Sequence, residues 1–233
     1  MMKENLPSDP AAPAFLFDLD GTLIDSVCQH VLAWHEALEE MGLSLAVWRI
    51  HRRIGMSGGL FVQALGREIG HPVTDELAAE LQQKHTAAYR RHRQGLRPLP
   101  GAPELLDRLS RDGIRYAIAT SGHREVAEPS LKMLGVRPET PAITRDEVKR
   151  AKPDPDLFLA AASRLHVPIT IAMVVGDSVW NLLAARRAGC LGIGVLSGGY
   201  GKEELERVGA YRVYKDAADM LAHLDEVGVR IRN

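Results

Sequence analysis

The apolar positions of this chain follow two periods, and the change from one to the other divides it. Ala14-Phe15-Leu16-Phe17 is an unbroken apolar run ending at Asp18, the pattern of a buried strand whose carboxyl end opens into a polar turn. From residue 27 to 41 the period becomes helical, with Val31, Leu32, Trp34, Leu38 and Met41 on one stripe and Gly42 as terminator. Helical text continues without a strand pattern over 45–54, 60–69 and 74–93, where Thr74 is placed as a cap and Asp75 and Glu76 as an acidic first turn. Pro98 and Pro100-Gly101 mark the end of this stretch.

Beyond them strands and helices alternate. Strands are expected over 116–119, 171–175, 191–196 and 211–214, and helices over 126–134, 179–188, 203–208 and 217–227. Alternation of this kind predicts an α/β fold: a mainly parallel sheet with helices on both faces. The expected division is a flexible tail over 1–13, an α/β core made of 14–27 and 98–233, and an all-helical module, 28–97, inserted into it. In such a sheet ligands bind outside the carboxyl ends of the strands, so the polar residues there are the candidates for chemistry.

Composition narrows the classes. With 233 residues, 45% hydrophobic and 25% charged, the chain can bury a sizeable core in one or two domains. The 29 basic and 30 acidic residues leave a formal net charge of -1, so no general field points to nucleic acid. The longest apolar runs, such as 169–175, are strand-length, which predicts no membrane span, and 1–13 lacks the apolar centre of a secretion signal. Cys28 and Cys190 make no disulfide framework; reduced thiols with packing roles in a cytoplasmic protein are expected.

At the first strand end stands Asp18-Leu19-Asp20-Gly21-Thr22-Leu23-Ile24-Asp25-Ser26. Residues two apart near a strand end point the same way, so Asp18 and Asp20 can share a site while Leu19 turns inward. Two carboxylates that close perturb each other's proton affinity, which suits an ionised nucleophile beside a proton carrier; the plainer alternative is a pair of helix-capping aspartates. Thr120, Ser121 and Gly122 follow the next strand with a hydroxyl and turn amides able to hold an anion. Lys152, before a proline pair, is a point charge suited to an anionic oxygen, and Asp177 follows five apolar residues and a glycine, a position for a metal ligand or a helix cap. Hard oxygen donors from Asp18, Asp20 and Asp177 favour Mg²⁺ over Zn²⁺, and no His/Cys cluster with zinc spacing occurs.

These four segments, in this order, resemble the four signatures of the haloacid dehalogenase superfamily: Asp18-Leu19-Asp20-Gly21-Thr22, Ile118-Ala119-Thr120-Ser121-Gly122, Lys152 within Ala151-Lys152-Pro153, and Val174-Val175-Gly176-Asp177-Ser178. The resemblance covers nearly everything after the tail and is to the phosphoglycolate phosphatase and β-phosphoglucomutase branch. It implies a Rossmann-like core and a helical cap over 28–97. It further implies a Mg²⁺-dependent phosphatase acting on a small phosphate ester, phosphoglycolate or a sugar phosphate. On that resemblance Asp18 is the nucleophile that becomes an aspartyl-phosphate, and Asp20 is the acid/base. The side chains of Asp18 and Asp177 and the backbone carbonyl of Asp20 bind the metal, and Thr120 and Lys152 hold phosphoryl oxygens. A monomer and a dimer are both compatible with it.

One position departs from the pattern. The fourth signature usually carries a second acid one helical turn on, and here Asn181 stands there. An amide can offer its oxygen to the metal shell or bond a metal-bound water, but it removes a charge, so weaker Mg²⁺ binding is expected. In the cap, His30, Arg52 and Arg53, with the loop Gly55-Met56-Ser57-Gly58-Gly59, are the substrate candidates; each arginine is also compatible with a solvated helix face. The rivals are a phosphomutase using the same intermediate and a non-enzymatic binding protein on a degenerate phosphatase fold. Asp18 and Asp20, both present, argue against the second.

Overall fold

The computed structural model describes residues 13–70 and 73–229, so the expected tail lies, apart from Pro13, outside the described residues. The chain runs β1 (Ala14–Phe17), α1 (Val27–Glu40), α2 (Val47–His51), α3 (Gly58–Ile69) and α4 (Asp75–His92). It continues α5 (Ala102–Arg111), β2 (Tyr116–Ala119), α6 (Arg124–Met133), β3 (Ala142–Ile143), α7 (Asp156–Arg164) and β4 (Ala172–Gly176). It closes with α8 (Val179–Ala188), β5 (Leu191–Val195), α9 (Lys202–Arg207), β6 (Ala210–Tyr214) and α10 (Ala217–Ala222). The strands form one parallel sheet in the order β3-β2-β1-β4-β5-β6. Successive strands step outward from β1 on one side and from β4 on the other, so the order reverses between these two central strands and opens a crevice at their carboxyl ends.

Side-chain alternation fills both faces. Phe15 and Phe17 of β1 join Leu105, Leu109, Ile118, Val175 and Met220 on one face. Ala14 and Leu16 join Phe158, Ala161, Val174 and Ala185 on the other. The inserted module has its own core, in which α1 packs along α4 and Trp34, Leu38, Ile50, Phe61, Val62, Leu65 and Leu81 are buried. Each such apolar side chain contributes about 1.5–3 kcal/mol of burial free energy, enough in sum to hold four helices without a sheet. The chain leaves and re-enters the core side by side: Ile24 and Pro98 form an antiparallel bridge, Asp25 N donates to Arg97 O (2.9 Å) and Leu99 N to Leu23 O (2.9 Å).

The structure adds elements that the apolar pattern did not yield. α5 begins directly after Gly101, which caps it in the left-handed region, φ 76°, and carries Pro103 in its first turn, where a missing N–H costs nothing. α7 begins directly after Pro155, which is already in helical conformation, and β3 has only two residues. The closing helix expected over 217–227 is instead α10 followed by a separate 3-10 turn, Leu224–Val227. Cys28 is exposed on α1 rather than packed, because α1 turns Val27 and Val31 inward beside it. Among the described residues no helix is long and apolar enough to cross a membrane.

Candidate active site

β1 ends with its backbone still in the sheet, Asp18 N donating to Val175 O (2.8 Å), so the Asp18 side chain is delivered to the β1/β4 crevice by the strand itself. The carboxylate is buried and every contact is directional. Oδ1 accepts from Leu19 N (2.8 Å); Oδ2 accepts from Lys152 Nζ (2.6 Å) and from Asn181 Nδ2 (2.7 Å). Lys152 is only 1% exposed, so this ammonium is committed to the site and is not a surface charge.

Two residues on, Asp20 has a different setting. Its Oδ1 accepts from the Ser26 hydroxyl (2.7 Å) and lies 3.3 Å from His30 Nε2, and its Oδ2 accepts from the Thr120 hydroxyl (3.4 Å). Burial works to raise its pKa, but the charge and hydrogen bond of His30, with Ser26 and Lys152, outweigh it and hold the group down at about 2. Leu19 between them is fully buried.

Asp177 directly follows β4 beside Asp18, with Oδ1 accepting from the Thr22 hydroxyl (3.2 Å). Burial, and next the charge of Asp18, push its pKa up to about 7. A Cβ on Gly21 would come within 2.5 Å of Asp177 Oδ2 and one on Gly198 within 1.8 Å, so both loops close on this carboxylate only as glycines. Asp18, Asp177 and Lys152 thus bury two carboxylates against one ammonium, and no cation pairs with Asp177 among the described residues. That charge deficit and the hard oxygen donors fit a divalent cation of the Mg²⁺ type. No three His, Cys, Asp or Glu side chains converge among the described residues, so any further ligand would be backbone, substrate or water.

Asn181 requires a correction. Its Oδ1 is taken by Ser178, which donates from both N (3.1 Å) and Oγ in a reciprocal cap of α8, while Nδ2 faces Asp18. The amide therefore offers no oxygen to a metal.

Thr120, Ser121, Gly122 and Lys152 line, with Asp18 and Asp20, a cavity of about 440 Å³ between sheet edge and cap. Thr120 Oγ1 accepts from Gly122 N (3.0 Å), and Ser121 Oγ donates across the gap to Gly55 O (3.3 Å). From the cap come His30, Trp34, Arg53, Ser57, Gln82 and His85. His30 is stacked on Tyr89 (centroids 4.0 Å) with Nδ1 3.3 Å from His85 Nε2, and His85 stacks on Trp34 (4.2 Å). Burial, then the charge of His30, lower the pKa of His85 well below the usual histidine value. Arg53 reaches the cavity wall while donating to Glu68 and to Arg49 O (2.8 Å).

Arg52 also needs correcting, for it does not line the cavity. Its guanidinium lies over the Tyr200 ring (3.9 Å) and pairs with Glu204, and its carbonyl accepts from Trp180 Nε1 (3.1 Å) and the Tyr200 hydroxyl (2.8 Å). Ser57 N donates to Lys152 O (3.0 Å) and His51 Nε2 lies 2.9 Å from Gly198 O. Segment 51–57 is thus one seam where cap meets core, and the packing of α4 on Val126 of α6, with Arg90 paired to Glu125, is another. Sequence reasoning missed His85 and Gln82, although α4's spacing puts His85 four residues from Leu81 and from Tyr89 on its buried side; nothing in the sequence marked Trp180, Tyr200 or Glu204 as partners of Arg52.

Comparison with known proteins places the chain in a family. The family model described as haloacid dehalogenase-like hydrolase matches residues 12–189. The chain is 35% identical over 181 residues to hexitol phosphatase A of Escherichia coli, covering 76% of this chain and 79% of that one. It is 32% identical over 199 residues to phosphoglycolate phosphatase of Agrobacterium fabrum, covering 83% and 84%. The crystal structure of a hydrolase from Pseudomonas syringae superposes with a TM-score of 0.91 at 51% identity, covering 93% of this chain and all of that one.

Proposed function

The chain belongs to the haloacid dehalogenase-like hydrolases, and from that premise we propose that this phosphoric monoester hydrolase uses Mg²⁺ and an aspartyl-phosphate on Asp18 to dephosphorylate a small metabolite. The observation that carries the reading is the contrast between two carboxylates two residues apart. Asp18 is fixed at three points, one of them a buried ammonium, and Asp20 is held by hydroxyls and an imidazole at the cavity wall.

In the first step an Asp18 oxygen attacks phosphorus, the P–O bond to the leaving group breaks, and Asp20 gives that oxygen a proton. In the second step Asp20 takes a proton from water, the hydroxide oxygen attacks the same phosphorus, and the acyl-phosphate P–O bond breaks to return Asp18 and phosphate. Asp20 as described is ionised, the form that accepts a proton from water. To act first as acid it must gain one, and the dianionic ester arriving beside it raises its proton affinity. The Thr120 hydroxyl, the Ser121 backbone and Lys152, which line the cavity beside Asp18, would hold the phosphoryl oxygens. Asp18 and Asp177, with the Asp20 carbonyl, would hold Mg²⁺, which when bound neutralises repulsion between nucleophile and phosphate.

The cavity volume admits a phosphoryl group with a leaving group of glycolate or sugar size, the class to which the two phosphatase relatives' names refer. The test is inorganic phosphate release from phosphoglycolate, hexose phosphates and hexitol phosphates with Mg²⁺, using Asp18→Asn as the blank. Release by the wild type alone is expected. No release from any ester, conversion to an isomeric ester, or equal release by the blank would overturn the reading.

A further inference from the structure

The hydrogen bond from Asn181 to Asp18 is a feature of this chain that the proposed reaction does not use. The amide cannot be turned over: Oδ1 faces the Ser178 N–H, a donor, so a flip would oppose two donors there and set an amide oxygen against the Asp18 carboxylate. Space for it is provided as well. A Cβ on Gly176 would lie 2.3 Å from Asn181 Cγ, so the last residue of β4 is glycine where the Asn181 side chain passes over the strand toward Asp18. Asn181 is fully buried and joins Lys152 on the same oxygen, Oδ2, leaving Oδ1 held only by Leu19 N.

We infer that Asn181 is a positioning residue for the Asp18 nucleophile, an uncharged donor that fixes the carboxylate without adding a third acid to the pocket of Asp18 and Asp177. The inference rests on the reading of Asp18 as nucleophile. Two consequences separate it from a purely structural cap. An acid at this position would keep both acceptor contacts to Ser178, and so the fold of α8, but would place like charge against Asp18, relieved only by a cation. Loss of the donor alone would loosen the nucleophile and leave substrate contacts untouched.

Three variants test this: Asn181→Asp, Asn181→Ala, and Gly176→Ala, which displaces Asn181 without altering it. Calorimetric titration of the substrate-free proteins with Mg²⁺ is expected to show Asn181→Asp binding tighter by roughly 10- to 100-fold, with Asn181→Ala close to wild type. At saturating Mg²⁺, Asn181→Ala and Gly176→Ala are expected to lose about 10- to 100-fold in kcat with KM little changed, the cost of a misplaced reacting group. Wild-type kcat in both of these variants, a kcat loss that vanishes as Mg²⁺ is raised, or unchanged Mg²⁺ affinity in Asn181→Asp would each overturn the inference. If the wild type hydrolysed no ester, the proposed function would fall while the Mg²⁺ titrations still decided the charge arrangement.

Discussion

On the core wall of the cavity the functional side chains are held by groups that the sheet itself puts in place, whereas on the cap wall they are held by one another. Asp18 leaves β1 already hydrogen-bonded to Leu19 N, with Lys152 converging on it from the loop before α7 and Asn181 from the first turn of α8. His30 keeps its place by stacking on Tyr89 and meeting His85, and Arg53 by pairing with Glu68, side chains that all belong to the cap segment. The first wall is preorganised for charge, the second for shape. On the proposed function, chemistry common to every ester would belong to the one and choice among esters to the other.

Core substitutions should accordingly act on all esters alike. Asp18→Asn is expected to abolish turnover, since a neutral amide is a poor nucleophile, and Asp20→Asn to cost about 10²- to 10⁴-fold through lost proton transfer. Initial rates on three esters of different size measure this; a loss confined to one ester would break the contrast at its stronger end.

The cap should behave otherwise. Arg53→Met is expected to change the kcat/KM ratio between two esters on the order of 10-fold while sparing slow hydrolysis of a small aryl phosphate. His30 touches Asp20 across the gap, so His30→Gln should act as a core change does and slow every ester. Equal losses from Arg53→Met on large and small esters would place Arg53 in the chemical step or the fold.

Stability against pH sharpens the same contrast. In metal-free protein Asp177 is raised from 3.8 to about 7 by burial and by Asp18, so the folded state holds that proton more tightly than the unfolded chain. Its contribution is complete below the unfolded pKa and is lost as pH rises through the folded one. The melting temperature in chelator should therefore fall from about pH 4 to about pH 8, and Mg²⁺ should remove that fall. A slope that survives in Asp177→Asn would assign it elsewhere. The smallest effect is expected at the seam: Arg52 and Glu204 are 34% and 42% exposed, so a double-mutant cycle should give a coupling of about 1 kcal/mol or less.

The same difference governs how legible each wall is in the sequence. Asp18, Thr120 and Asp177 stand directly after strand ends, and a parallel sheet gathers such ends at one edge whatever the loops do. Position along the chain was therefore enough to bring these three together, whereas Lys152, well beyond the short β3, was marked by its place in the ordered signatures. The cap helices are readable from their apolar period, but Arg52 and Arg53, adjacent in sequence, part company in space, one to Glu204 and the other to Glu68. No local pattern contains that choice, because each partner is set by how α2 meets α3 and the core. Asn181 shows the limit at a finer scale: its position in the fourth signature was visible, but which end of the amide meets Asp18 depends on the Ser178 cap.

The bridge between Ile24 and Pro98 has a consequence for descent and for engineering. Because the chain crosses into the cap and back through a single paired stalk, the interruption of the core is geometrically almost nothing: Leu23 and Leu99 remain backbone neighbours. A segment joined in this way behaves as a cassette, and insertions whose ends meet at one surface point are those that folds tolerate best. One helical module can be exchanged for another by matching two adjacent residues at the stalk, the short seam along 51–57 and the contact of α4 with α6. A core with fixed chemistry could in this way acquire new substrates by replacing a whole wall at once, without passing through intermediates in which the strand-end residues are disturbed.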